Sequence, residues 1–205
     1  MRPTAFAVLL AAALAAPAIA PSTAWAADPA QDRVEAFNAA LLDAMKAGKG
    51  AGVDGRAKRL QPAVDAAFDI PLMTRVAVGT DWAKISAGDQ AKLTRAFGRV
   101  AALNWAKNFD AYEGERFEVG GVDSRGPDKL VRNQIVPKRG APTNINYRLR
   151  ESAGGGWKIV DVFYNGSISS IATQRSDFAP ALKAGGAPAL LKKLDDQADR
   201  LAKGG

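Results

Sequence analysis

The chain has 205 residues, a formal net charge of +7, no cysteine and no histidine. Without thiols there is no disulfide framework, thiolate metal site or lipid-modified cysteine. Without imidazole the commonest general base, the commonest metal ligand and the usual partner of a serine nucleophile are missing, so an enzyme would need a Ser–Lys dyad or paired carboxylates.

The positive start Met1-Arg2, the apolar run Phe6 to Ala16 and the A-x-A site Ala24-Trp25-Ala26 predict a secretory signal peptide over residues 1–26. The apolar run is too short to span a bilayer. Residues 27–205 then form a single domain of about 179 residues, enough for a sizeable core. A bacterial periplasm is the simplest destination. The net charge falls to +6 once Arg2 leaves. Such a surplus suits anionic surfaces, lipid headgroups or acidic partners, and the location argues against nucleic acid. The charges are scattered, however, and a solubilising surface accounts for them equally well.

Asp28 to Lys46 has the helical period, with Val34, Phe37, Leu41 and Met45 on one stripe and Gly48-Lys49-Gly50 as a stop. A second helix covers Gly52 to Phe68. In the third, Asp69 is the cap, Pro71 lies in the first turn, Met73, Val76 and Ala77 follow, and Gly79 closes it. Ser86 and Asp89 form a capping box at the head of the longest helix. Its stripe of Leu93, Phe97, Val100, Ala101, Trp105, Phe109 and Tyr112 is aromatic enough to belong against a sheet.

After Gly114 the period becomes two. Arg116 to Val122, Leu130 to Pro137, Thr143 to Glu151 and Trp157 to Asn165 are four strands separated by short turns, which favours an antiparallel meander. In the third, Ile145, Tyr147 and Leu149 alternate with Asn146, Arg148 and Arg150. The fourth carries large apolar residues at both parities and so has to be covered on both faces. Helix returns at Ser167 to Arg175, around Phe178 to Leu182, and at Pro188 to Leu201 after Gly185-Gly186. Helices, then strands, then helices predict an α+β fold: a curved sheet of four strands or slightly more against N- and C-terminal helices.

Gly154-Gly155-Gly156 lies between two strands, which makes it a hairpin turn and not a phosphate cradle. No GxSxG, HExxH, Walker or zinc-type spacing occurs, so no catalytic residue, metal ligand or cofactor is assigned. Asp161, inside an apolar strand, is expected to pair with Arg148 or Arg150 or to cap a backbone group, ahead of a third reading as a catalytic carboxylate.

FDIPLMTRVAVGTDW at 68–82, YEGERFEV at 112–119, NYRLR at 146–150 and GGWKIVDVFYNGSISSIATQRSDF at 155–178 resemble the MlaC/toluene-tolerance family. Within it, the 68–79 and 157–178 blocks are most similar to the hopanoid-associated HpnM branch. The resemblance implies a periplasmic carrier that holds a phospholipid or hopanoid in an apolar cavity between sheet and helices. It also implies transient contact with two membrane partners, an inner-membrane ABC-type lipid transporter and an outer-membrane complex.

On that basis Phe97, Ala101, Trp105 and Phe109 are expected to face Ile135, Tyr147, Leu149, Val162 and Tyr164 across the cavity. Phe68, Met73 and Val76 would close one end. Arg75, Arg148 and Arg150 are assigned to the headgroup mouth or to partner docking, because guanidinium matches phosphate and carboxylate geometry. Two other classes remain open: a hydrolase without histidine and a ligand-free adaptor. An apolar tunnel would support the carrier, a polar cleft the hydrolase, and a sealed core the adaptor.

Overall fold

The computed structural model describes residues 28–204; the expected signal peptide lies outside them. Among the described residues four α-helices precede the sheet: α1 (Pro29–Lys46), α2 (Gly52–Ala67), α3 (Ile70–Val78) and α4 (Ala87–Asn108). The expected caps are in place. Asp28 accepts from the Ala30 N–H, Asp69 from the Leu72 N–H and Ser86 from the Asp89 N–H, each satisfying an orphan donor of a first helical turn. In the last, the Asp89 carboxylate reaches back and accepts from the Ser86 hydroxyl at 2.9 Å.

The sheet has five strands in sequence order, all antiparallel: β1 (Arg116–Arg125), β2 (Asp128–Val136), β3 (Thr143–Glu151), β4 (Trp157–Tyr164) and β5 (Ile168–Ser169). The short fifth strand stands where helix was expected. Asn165 and Gly166, both at positive φ, 51° and 81°, form the centre of a tight turn in which the Ser167 N–H donates to the Tyr164 carbonyl at 3.3 Å, and the three-residue connection folds Ile168–Ser169 back onto Tyr164 and Phe163. The last helix, α5 (Ser170–Ala202), then starts from the Ser169 cap. It runs through Gly185 and Gly186 with a kink, Gly186 taking a φ of 62° that an L side chain resists.

Two irregularities curl the sheet. In β1 the register shifts between Val119 and Val122, across Gly120-Gly121; in β4 it shifts opposite Arg148 and Leu149, leaving Val160 as the extra residue. Helix α1 lies across the inner face against β1, β2 and β4, α4 packs on α2, and α5 covers α4 and α3 from outside. The corner between α2 and α3 is tied down by a bridge from Phe68 to Ile159 and by the Asp69 N–H donating to the Ile159 carbonyl at 2.9 Å. No helix among the described residues is long and apolar enough to cross a membrane.

Candidate functional site

Alternation along β3 sends Ile145, Tyr147 and Leu149 inward, where all three are buried, and the facing helices meet them with aromatic rings. Phe37 of α1 is the hub. Its ring stands edge-on to Phe68 at 4.9 Å, to Trp105 at 5.1 Å and to Tyr147 at 6.3 Å between centroids. Trp105 continues the cluster to Phe109 at 5.5 Å, and Phe109 continues it to Phe117 of β1 at 6.1 Å. Edge-to-face contacts of this kind add roughly 0.5–1.5 kcal/mol each beyond area burial. Side chains therefore fill the space between sheet and helices.

Of the expected lining residues, Phe68, Met73, Trp105, Phe109, Tyr147, Leu149 and Val162 all belong to this buried core. Ile135 and Phe117 are half-buried at one end of the seam, the end of the sheet at which Tyr164, 36 % exposed, pairs with Ile145. That end is an apolar rim open to water. Phe97 and Ala101 look elsewhere: Phe97 packs edge-on to Phe178 of α5 at 6.2 Å, and both line a small cleft of about 180 Å³ between α4 and α5. Val76 lies on the surface, 38 % exposed.

The α2–α4 side of the molecule is grooved. Two adjoining grooves of about 500 and 550 Å³ share Gln61, Asp65 and Arg99, and the first has Phe68 in its wall. One residue thus belongs to both an outer groove and the inner cluster.

The three arginines divide. Arg75 is exposed on α3. Arg148 and Arg150 alternate with Tyr147 and Leu149 and so occupy the outer face of the sheet, opposite the rings. Arg150 grips the buried Asp128 with two nitrogens, which holds its guanidinium above the ordinary range. Arg148 stands 3.5 Å from Asp161 and 3.8 Å from Asp128. Asp161, 2 % exposed, meets the two structural readings expected for it. It pairs with Arg148, and it also accepts from the Val162 and Ile171 N–H groups and the Ser169 hydroxyl. Those bonds fasten β4 to the start of α5, a structural use of the carboxylate.

Three buried polar side chains meet on the inner side, of which Tyr147 was expected there and Asn38 and Asn133 were not. Asn38 of α1 donates to Asn133 of β2 at 2.8 Å, yet among the described residues the Asn38 carbonyl oxygen and the Asn133 amide nitrogen find no partner. The Tyr147 hydroxyl, fully buried, has none either. Burial, and secondarily Tyr164, pushes that hydroxyl far above the ordinary phenol range, so it stays a protonated donor. Among the described residues no acidic cluster of three or more could hold a metal ion.

No curated protein sequence matches the chain. Among solved structures, the chain is similar to a phospholipid-binding protein from Ralstonia solanacearum in complex with a phospholipid. The TM-score is 0.74 at 21 % identity, over 84 % of this chain and 98 % of that one. The shared architecture is the mixed one described above, an open antiparallel sheet flanked by helices. A model of the family described as MlaC protein matches residues 35–196, most of the chain. This chain, by that match, belongs to the MlaC protein family.

Proposed function

We propose that this protein is a periplasmic lipid carrier, not an enzyme, which takes a phospholipid or hopanoid between its sheet and helices and passes it between an inner-membrane ABC-type transporter and an outer-membrane complex. The observation that carries the reading is the family match, joined to a fold shared with a protein solved around a phospholipid. Residues 1–26 act as the signal peptide and 27–205 as the lipid-binding domain. Of the two cargoes, phospholipid has the support of that structural relative. Hopanoid rests on the 68–79 and 157–178 blocks alone.

The packed seam, taken by itself, favours the ligand-free adaptor. The carrier requires α1 and α4 to part from the sheet, and the physical terms allow it. A sixteen-carbon chain gains about 0.8 kcal/mol per buried methylene, on the order of 10 kcal/mol for one tail, against ring contacts worth about 1 kcal/mol apiece. Phe68, Met73, Trp105, Phe109, Ile135, Tyr147, Leu149, Val162 and Tyr164 would line the opened space. Phe97, Ala101 and Val76 would have to be reached by a wider rearrangement of α3 and α4. Arg148 and Arg150, on the outer face, suit partner docking better than headgroup contact, and Arg75 is free for the same task.

The decisive measurement is solvent extraction of freshly purified protein followed by lipid mass spectrometry, with uptake from phospholipid vesicles as a companion. A stoichiometric phospholipid or hopanoid is expected. Protein that carries no lipid and takes none up is an adaptor.

A further inference from the structure

Buried polar groups in native proteins nearly always find partners, and each that does not calls for an explanation. Three such groups here share one place. Val131 pairs with Tyr147 and Gln134 with Asn144, which makes Asn133 the diagonal neighbour of Tyr147 on the inner face, within reach of an aromatic side chain. Asn38 hydrogen-bonds to Asn133 from above, and the Phe37 ring beside it touches the Tyr147 ring. Ile145, in the same row as Asn133, pairs with the half-exposed Tyr164. The polar groups therefore sit within about one row of the open rim, while Phe68, bridged to Ile159, lies deeper.

Resting on the carrier reading, we infer that Tyr147, Asn133 and Asn38 form a recognition site for the acyl-ester linkage of a glycerolipid. Two donors, the Tyr147 hydroxyl and the Asn133 amide, are unused, and an ester carbonyl is a neutral acceptor that supplies what they lack. A fully charged phosphate would be a poor guest this deep, since desolvating it is far costlier than desolvating an ester. The depth fits as well. A glycerol backbone at the Asn133 row leaves its headgroup at the rim by Tyr164 and sends its tails along Phe37, Trp105 and Phe68. A site that aims donors at a group discriminates against an analogue without it, because the donors are then buried unpaired.

The test compares vesicles of dipalmitoyl phosphatidylethanolamine with vesicles of the dihexadecyl ether bearing the same headgroup. The ether keeps the tails and charge but removes both carbonyls. The full chain is expected to take up the ester at least roughly tenfold more readily. In Tyr147→Phe, which keeps the ring contacts, the ratio of ester to ether uptake should shrink severalfold, and the unfolding midpoint without lipid should not fall. Equal uptake of ester and ether by the unmodified protein overturns the ester site and leaves the carrier standing. A preference that survives Tyr147→Phe, or a lowered midpoint showing that the hydroxyl already had a partner, overturns it too. Uptake of neither lipid overturns both.

Discussion

Asp161 shows how an acidic residue earns a place inside an apolar strand. Its two oxygens accept from two buried backbone N–H groups and one hydroxyl, and Arg148 supplies the opposite charge from the outer face. An alanine there would strand the Val162 and Ile171 N–H groups at about 1–3 kcal/mol each. Asp161→Ala should therefore lose about 3 kcal/mol or more in urea unfolding, whereas Asp161→Asn, which keeps one accepting oxygen, should lose about half as much. Lipid bound per folded molecule should be the same in both, since the carboxylate faces away from the rings. A carboxylate that took part in cargo binding would break that equality. The same geometry makes Arg75 the cleanest probe of docking: substituting Arg148 or Arg150 also disturbs buried aspartates, and Arg75 is exposed on α3 away from them.

At the level of elements, α1 is fixed to the sheet at its first turn. Asp28 caps it and also receives the Lys129 ammonium on both oxygens, at 2.8 and 2.7 Å. Partial burial pushes the Asp28 carboxyl up, but Lys129 and the Ala30 N–H together outweigh it and hold the value below the ordinary range. A depressed folded value means that the stabilisation is complete above the unfolded carboxylate value and is lost as the pH falls through the folded one. Asn caps a helix as well as Asp does but cannot pair with Lys129. Asp28→Asn should thus be less stable than the unmodified protein by about 0.5–1 kcal/mol at neutral pH, the scale of a half-exposed pair. That difference should close as the pH falls below the ordinary aspartate range, as unfolding midpoints across a pH series will show. Most elements were legible because their periods are clean: the α1 stripe, the caps at Asp69 and Ser86, and the alternation in β3 all reappear in three dimensions. What escaped depended on partners. Asn165-Gly166 breaks β4 locally whether or not a strand follows, so β5 became visible only with its pairing. The α4 stripe is wide enough to serve both the sheet and α5, and no periodicity tells which neighbour receives Phe97. Asn133, a polar residue at an inward position, is indistinguishable in sequence from one facing water.

The whole molecule combines a sheet curled by two bulges, a lid of helices and a seam of rings between them. Those rings contribute cohesion but hold three polar groups that find no partner among the described residues. A guest that binds the folded state alone must raise its stability by mass action, about 2.7 kcal/mol at a free concentration one hundred times Kd. For a domain of this size that corresponds to roughly 5–10 °C in Tm. Protein stripped of lipid by unfolding in organic solvent and refolded should melt lower by that amount, and diacyl phospholipid in mixed micelles should restore it in a concentration-dependent way. The dihexadecyl ether should restore less at equal concentration, because it gains the tail burial without the carbonyl contacts. Opening the seam also predicts slow exchange, since the rings have to separate before a tail can leave. An adaptor with a permanently closed core would show the same Tm with and without either lipid, and hydrogen exchange at the β3 amides would then be indifferent to lipid as well.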